Sequence, residues 1–219
     1  RRGFPCAIHV IEQWEASKRP ACDVVIHLKG LTEYVPSPAQ LNVLWSISHP
    51  TKLAVAECDR FDLVLVASET FADTLRARVA TPVHVLEQAT DPAVFFPEHD
   101  GGHERELVFV GRRVMRRIVR DLLPTDRDLA IWGADWAPLI GERHLAGTYL
   151  PNDQVRRAYS SAGIVLNDHW DDMREHGFAS NRLYDAMACG ALVLSGQCVG
   201  LEAAAIPLLP VADALSRLR

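Results

Sequence analysis

The sequence lacks long apolar runs, paired cysteines and an excess of positive charge. No apolar run approaches the roughly 20 residues that a helix needs to cross a bilayer, so we expect no transmembrane segment. The formal net charge of −5 predicts no general basic surface for nucleic acid or anionic lipid. The five cysteines are scattered and without CxxC spacing, which is typical of reduced thiols in a cytoplasmic protein and not of disulfides or a zinc site.

Three further features are absent. No GxGxxG follows any apolar run, which disfavours an NAD-dependent oxidoreductase. No DxD-like acidic pair stands at the end of a predicted strand, since Asp171 and Asp172 fall in a charged loop. The chain begins at Arg1 without a methionine or a signal segment, so we expect that upstream sequence is missing and that the first domain is incomplete.

What is present is typical of a two-domain α/β protein. The 219 residues exceed a usual single domain, and 48% hydrophobic and 23% charged residues are ordinary for a globular chain. Apolar runs alternate with helical patterns, which predicts parallel sheets in two Rossmann-like domains. Predicted strands cover 6–11, 23–28, 41–48, 63–68, 83–86, 107–111, 129–133, 163–167 and 191–194, and predicted helices cover 51–60, 69–79, 112–123, 152–162 and 181–189.

A linker divides the two predicted domains. Residues 88–104 read QATDPAVFFPEHDGGHE, and the prolines, adjacent glycines and charges interrupt the alternating pattern. We therefore expect a first domain over 1–90, a hinge over 91–104 and a second domain over 105–219.

The stretch from 163 to 195 combines strand, polar loop, helix, glycine stop and strand. Ser180 is the expected N-cap of the helix and Gly190 its stop. Arg182 and Asp185 share one helix face near its start. Ligands of open α/β sheets bind at the carboxyl ends of strands, and a helix N-terminus favours an anion there.

A structural interpretation of this pair stays open. An arginine and an aspartate three residues apart on a helix are in most cases a solvated ion pair worth a few tenths of a kcal/mol. The number of polar side chains in this one unit favours a ligand site instead. They are Asn167, His169, Arg174, Ser180, Asn181, Arg182 and Asp185.

The segment GFASNRLYDAMACGALVLS resembles the donor-binding segment of glycosyltransferases with the two-Rossmann-domain GT-B architecture. More narrowly, it resembles the bacterial group that includes the spore-maturation protein CgeB, whose signature is GxxSNR, two apolar residues and an aspartate. Gly177, Ser180, Asn181, Arg182 and Asp185 match that signature. The E-x7-E pattern of the broader family is broken, because Gly177 stands at the position of its first carboxylate.

The resemblance implies a nucleotide-sugar donor site in the second domain. It places Asp185 on the ribose, and Arg182 with the helix start at Ser180 and Asn181 on the diphosphate. The relatives generally work without a metal, so we predict no metal and no cofactor. The residues expected in the donor site are Gly111, Arg113, Gly133, Trp136, Asn167, His169, Ser180, Asn181, Arg182 and Asp185.

Two segments of the second domain complete the expected donor site. Gly111 ends the strand 107–111, where GT-B relatives place a glycine loop against the diphosphate, although their loop is longer. Five arginines follow between 112 and 120; we expect most of them to form a solvated face and one or two to neutralise phosphate. The sequence WGADW resembles an aromatic-G-x-x-W element, in which Gly133 admits a nucleobase. For Trp136 we favour simple core packing.

His49 is the candidate catalytic residue of the first domain, together with Arg182 in the second. It ends the segment LWSISHP, which resembles a recurrent feature of the CgeB-like group. A histidine at the carboxyl edge of a parallel sheet suits general base catalysis or a hydrogen bond to a sugar hydroxyl. The alternative is a strand-end histidine satisfied by the backbone. Thr90, at the hinge, is a weaker candidate for contact with the donor.

The sequence thus predicts a cytoplasmic, metal-independent, hexosyltransferase-like enzyme of GT-B fold. It would transfer a sugar from a nucleotide diphosphate sugar to an unidentified acceptor, which is a glycan, a small molecule or a protein. The alternative is a catalytically inactive relative that acts as a nucleotide-sugar-binding module. The missing carboxylate at Gly177 and the short loop after Gly111 keep that alternative open.

Overall fold

The computed structural model describes residues 4–10, 21–112 and 116–200. Two parallel sheets organise these residues, one built from strands before position 86 and one from strands after position 104. This is the predicted fold class, an α/β protein with two Rossmann-like sheets. In the described part of the chain, no helix has the length and apolar character that a membrane crossing requires.

The first sheet has four parallel strands in the sequential order β1-β2-β3-β4. Helix α2 begins cleanly because the hydroxyl of its N-cap residue, Ser68, accepts a hydrogen bond from the backbone N–H of Phe71 at 3.1 Å, as an N-cap should. The elements are β1 (Val24–Lys29), β2 (Leu41–Ser46), α1 (Val55–Cys58), β3 (Leu63–Val66), α2 (Glu69–Arg76) and β4 (Val83–Val85).

The second sheet has five parallel strands in the order β7-β6-β5-β8-β9. From β5 the chain first adds β6 and β7 on one side of the sheet and then β8 and β9 on the other side. The strand order therefore reverses between β5 and β8. The elements are β5 (Arg105–Val110), α3 (Arg117–Leu122), β6 (Leu129–Trp132), β7 (Leu145–Gly147), α4 (Asn152–Ser161), β8 (Ala162–Asn167), α5 (Asp171–Glu175), α6 (Asn181–Ala188) and β9 (Val193–Ser195).

Alternate residues of the central strand enter two separate apolar cores. On β5, Val108 packs with the buried face of α6, whereas Leu107 and Phe109 pack with α3 and Trp136. Both faces of this sheet are covered, which is why its strands read as continuous apolar runs. The core of the first sheet includes Met173 and Phe178 from the second half of the chain, so apolar contacts join the two halves.

Several elements differ from the sequence prediction. Residues 6–10 form no strand, and residue 11 lies outside the described part of the chain. The predicted helix over 51–60 is a 3-10 turn, Pro50–Lys52, followed by the short α1, and His49 stands at the N-cap of that turn. Strand β7 and helix α5 were not predicted, because both are too short for a local pattern to show.

The helices that were predicted are generally shorter than expected. Helix α2 ends at Arg76 and α3 begins only at Arg117, while 113–115 are not described. In contrast, α6 begins after Ser180 and ends before Gly190, as its cap and stop signals indicated. Periodicity alone does not define where a helix ends, whereas cap and glycine signals do.

Candidate functional site

The candidate site lies at the reversal of strand order in the second sheet. Gly111 directly follows β5, and Asn167 ends β8. These are the two strands between which the order reverses. In open α/β sheets, the loops at such a switch point form the ligand-binding crevice. The site residues predicted from sequence after β5, after β8 and on α6 therefore lie at the expected edge of the sheet.

Arg182 projects from the first turn of α6 across the ends of β5 and β8. Its Nε donates a hydrogen bond to the backbone carbonyl of Val110 at 2.6 Å, and its Nη1 donates to Oδ1 of Asn167 at 3.2 Å. The guanidinium carbon lies 4.8 Å from the centre of the Phe109 ring. Tyr159 also interacts with Arg182 through its hydroxyl, whose pKa burial raises to about 12.

The groups that hold Arg182 are all neutral. Its partners are a backbone carbonyl, an amide oxygen, an aromatic ring and an un-ionised tyrosine hydroxyl. Among the residues that the structure describes, no carboxylate forms an ion pair with this guanidinium. A guanidinium that is rigidly oriented but not neutralised is suited to bind an anion.

Asn167 helps to position Arg182. Its side chain is fully buried, its Nδ2 donates to Oγ of Ser195 at 2.8 Å, and its Oδ1 accepts from Arg182. Both ends of its amide are thus used within the protein, and the predicted contact of Asn167 with the donor stays a prediction. The sequence showed its place at a strand end but not the direction of its amide.

Gly111 and Gly133 lie where neighbouring atoms come very close to the backbone. A Cβ at Gly111 would lie 2.5 Å from Nη2 of Arg182, and one at Gly133 would overlap the backbone carbonyl of Gly111. Trp136 is fully buried, and its Nε1 donates to the same carbonyl at 2.8 Å. Gly133 thus admits the Gly111 backbone, and Trp136 belongs to the core, as the favoured interpretation held; the contact of Gly133 with a nucleobase stays a prediction.

A second guanidinium lies in the same region. The side chain of Arg116 stacks on Trp170, with its guanidinium carbon 4.2 Å from the ring centre. Burial and the nearby charge of Arg182 lower the pKa of Arg116, while Asp168 acts in the opposite direction. Its Nε is buried without a hydrogen-bond acceptor among the described residues. Two positive groups that are held near each other, with donors unused, form an attractive site for a doubly charged anion.

Sequence analysis did not distinguish Arg116 from its neighbours. Arg117 forms an ion pair with Asp171 at 2.9 Å, and Arg120 pairs with Asp121 at 2.8 Å, so these two belong to the solvated face that was expected. Arg113 lies outside the described residues, and its expected donor contact stays a prediction. The spacing of the arginines carries no signal that singles out Arg116, because its stacking partner comes from another element.

His169 is a buried neutral histidine beside these cations. Only 5% of its surface is exposed, and its ring nitrogens make no hydrogen bond of full geometry to the described residues, although the ring also interacts with the backbone of Gly196. Burial lowers its pKa to about 4; Arg182 and Arg116 reinforce that shift, and Asp168 opposes it. The carboxylate of Asp168 accepts backbone N–H groups, from Ile118 at 3.2 Å and from His169 itself at 2.9 Å. His169 is thus an uncharged hydrogen-bonding group within the candidate site.

The free energy of unfolding is expected to fall as the pH drops from about 6.5 to about 4. His169 has a pKa of about 4 in the folded chain against an ordinary value of 6.5, so the unfolded chain binds the extra proton and gains stability across this interval. The contribution of His169 is about 3 kcal/mol at most. Urea denaturation of the parent and of His169→Gln, at about pH 7.5 and about pH 5, measures it.

The control for this measurement is His84→Gln, since His84 is exposed on β4. His27 contributes in the same direction in all three proteins, because burial and the charge of Lys29 also lower its pKa to about 4. A pH dependence in His169→Gln that equals that of the parent would contradict the prediction.

Asp185 is hydrogen-bonded to Thr90, just before the hinge, rather than to Arg182. Its Oδ1 accepts a hydrogen bond from the hydroxyl of Thr90 at 2.7 Å, and its Oδ2 accepts from Nδ2 of Asn181 at 2.9 Å. Burial raises the pKa of this carboxyl, while these two hydrogen bonds and the charge of Arg182 oppose the rise. Asp185 and Arg182 therefore do not form the solvated ion pair that the structural interpretation held open.

The start of α6 is open to a ligand. Ser180 occupies the N-cap position as predicted, but its hydroxyl makes no capping hydrogen bond. The first amide N–H groups of a helix have no acceptors within the helix itself. The side chain of Ser180 does not supply an acceptor either. These amide groups and the positive end of the helix dipole are therefore suited to bind an anion.

Gly177 has a structural reason for replacing the carboxylate of the broader family. Its φ of +78° is in the left-handed region, and a Cβ would lie 2.9 Å from the hydroxyl of Ser68 and from the carbonyl of Val199. Ser68 belongs to the first half of the chain, and its hydroxyl donates to the carbonyl of His176 at 2.6 Å. A side chain at this position would force the two halves apart.

His49 lies just beyond the carboxyl end of β2, where the sequence predicted it. It contacts the loop and helix that follow β8: its ring centre is 5.2 Å from that of Trp170, and its Nδ1 is 3.6 Å from Oδ2 of Asp172. No role in the site was predicted from the sequence for Trp170 or Asp172. In the described part of the chain, no group of three or more His, Cys, Asp or Glu side chains could hold a metal ion.

Comparison with known proteins agrees with this architecture. Residues 105–207 match the family model described as glycosyl transferase-like. Among solved structures, sucrose-phosphate synthase from Thermosynechococcus elongatus matches with a TM-score of 0.60 and 18% sequence identity, over 82% of this chain.

The chain has the GT-B glycosyltransferase fold. It spans 57% of the length of the sucrose-phosphate synthase chain. The family match falls on the half of the GT-B fold that contains Gly111, Arg116, Asn167 and α6. No curated protein matches the chain with significant similarity.

Proposed function

We propose that this chain is the greater part of a metal-independent glycosyltransferase, which transfers a hexose from a nucleotide diphosphate sugar to an unidentified acceptor. The second sheet binds the donor, and the first sheet presents the acceptor and His49. The glycosyl transferase-like family match over 105–207 supports sugar transfer in general terms. The free thiols of all five cysteines support a cytoplasmic location.

One observation carries the proposal: Arg182 is held at the switch point by neutral groups only. The bond between sugar and diphosphate breaks with a build-up of negative charge on the departing phosphate oxygens. A guanidinium already oriented toward that position stabilises the charge without reorganising during the reaction. Arg116 adds a second positive group near Arg182. With both arginines on the diphosphate, Mg²⁺ is not required to neutralise it.

Asp185 is the proposed ribose ligand. The hydrogen bonds from Thr90 and Asn181 hold its two oxygens in place. An ionised carboxylate has about four acceptor positions, so two remain for the hydroxyl groups of a ribose. His169, which is neutral, offers a further donor or acceptor to the sugar or the phosphate. Gly111 lets the backbone come near the diphosphate.

The second candidate is a binding module that holds a nucleotide sugar without turning it over. The first carboxylate of the broader family is absent, since Gly177 stands there, and the loop between Gly111 and Arg116 is short. Both are departures from the pattern of the broader family. The two candidates differ in turnover: an enzyme releases the nucleoside diphosphate from its donor, whereas a binding module retains the donor intact.

A thermal-shift screen tests the proposal on the full chain with UDP, GDP, TDP and NAD. A nucleoside diphosphate at about a hundred times its dissociation constant should stabilise the fold by about 2.7 kcal/mol. Because arginines and not a metal bind the diphosphate, the shift and any release of nucleotide from the donor should be the same in EDTA. A shift with NAD alone contradicts the glycosyltransferase proposal, and a loss of the shift in EDTA contradicts its metal independence.

A further inference from the structure

A histidine and a carboxylate from the two halves of the chain meet beside the candidate site. His49 follows β2 of the first sheet, and Asp172 lies in α5, which follows β8 of the second. Nδ1 of His49 is 3.6 Å from Oδ2 of Asp172, and the hydroxyl of Thr51 donates to the same oxygen at 3.0 Å. The separation of 3.6 Å exceeds a hydrogen bond. Such contacts are commonly long before substrate binds and shorten in the reactive complex.

The carboxylate of Asp172 is itself held in place. Its Oδ1 accepts the backbone N–H of Met173 at 2.9 Å, while its Oδ2 receives the hydroxyl of Thr51. Only 18% of its side chain is exposed. Its neighbour Asp171 is different, being 63% exposed and paired with Arg117 and Arg174. Of two adjacent carboxylates, one is therefore directed to Arg117 and Arg174 and the other to the first half of the chain.

His49 has an unusual backbone. Its φ of 49° and ψ of 54° place it in the left-handed region, which non-glycine residues adopt rarely and at a cost of about 1–3 kcal/mol. The side chain lies against Trp170, on which the guanidinium of Arg116 also stacks. His49 is thereby linked to the region of the proposed diphosphate site. One quarter of its side chain is exposed, so a ligand has access to it.

We propose that Asp172 is a positioning residue for His49. Its carboxylate accepts the proton on Nδ1, which fixes the ring tautomer and leaves Nε2 as the basic nitrogen. Nε2 then takes the proton from an acceptor hydroxyl as that oxygen bonds to the anomeric carbon and the bond to the diphosphate oxygen breaks. The imidazolium formed is stabilised by Asp172, and the nucleoside diphosphate leaves. This inference rests on the proposed function.

The pairing is tested first without any substrate. NMR of the ring nitrogens of His49 is recorded at about pH 8.5, where an ordinary imidazole is neutral. We expect the proton on Nδ1 in the parent and in Asp171→Asn, and the Nε2–H form that free histidine prefers in Asp172→Asn. The parent spectrum alone is decisive if the variant does not fold. A parent in which the neutral ring carries its proton on Nε2 both alone and in the presence of UDP, GDP or TDP overturns the proposal.

Turnover tests the role of the pair. The full chain is given UDP-glucose, GDP-mannose and TDP-glucose, with water as acceptor, and release of the nucleoside diphosphate is measured. Asp172→Asn should lower kcat roughly 10- to 100-fold and leave nucleotide affinity unchanged, whereas Asp171→Asn should behave as the parent does. Parental kcat in Asp172→Asn overturns the proposal. If none of the three donors binds, the proposed function fails, while the NMR result still decides the pairing.

Discussion

Replacing Arg182 with lysine should lower kcat/KM for the donor by about a hundredfold to a thousandfold, the loss expected when one preorganised donor to a developing negative charge is removed. Lysine keeps the positive charge but not the planar fork. A single ammonium group cannot donate to the Val110 carbonyl and to Oδ1 of Asn167, as Arg182 does, and also reach phosphate. Because the negative charge grows as the bond breaks, kcat should fall more than nucleotide affinity.

The measurement is steady-state release of nucleoside diphosphate from the donor selected by the screen, with calorimetric nucleotide binding beside it. Arg120→Lys is the matched control, since Arg120 lies on α3 and pairs with the exposed Asp121. Thermal unfolding of both variants shows whether the unpaired carbonyl of Val110 destabilises the fold. If Arg182→Lys retains the parental kcat/KM, the diphosphate site lies elsewhere.

Replacing His49 with alanine should reduce transfer by on the order of a hundredfold or more, the usual contribution of a positioned general base. Nucleotide affinity should stay nearly the same, because His49 contacts Trp170 and Asp172 and not α6 or Gly111. The reaction loses its proton acceptor while the donor stays bound. The effect therefore falls on kcat, which distinguishes His49 from Arg182.

The same two assays, binding and turnover, are applied to His49→Ala and to His84→Ala. His84 is an exposed histidine on β4 of the same sheet, so its removal controls for a nonspecific effect of losing an imidazole. Alanine at position 49 also keeps the left-handed strain, whereas His49→Gly relieves it. Parental turnover in His49→Ala would make His49 a structural residue.

The local elements of the second sheet could be predicted from sequence. Apolar runs located β5, β6, β8 and β9, and the serine cap and glycine stop located α6. These signals work because a buried parallel strand and a helix terminus each depend on residues that are neighbours in sequence. The strand over 6–11 was predicted on the same kind of apolar run and does not form over 6–10, because a strand also needs a partner.

The partners of the polar side chains could not be predicted in the same way. Arg182 and Asp185 were expected to face the donor together. Instead Arg182 is held by the ends of β5 and β8, and Asp185 by the hinge residue Thr90. Asn167 was expected at the ligand, yet both ends of its amide are used within the protein. A hydrogen bond depends on direction, and residue type and spacing do not specify the direction of a side chain.

By itself, the sequence determined the alternating strands and helices, the position of α6 at a strand end, and a histidine at the edge of the first sheet. Only the tertiary structure decided that Arg182 keeps an unneutralised charge and that Arg116 joins it over Trp170. It also decided that His49 meets Asp172 across the two halves of the chain. The reason is physical: strand order and the packing of the two sheets set these contacts, and residues far apart in sequence leave no local pattern of their pairing.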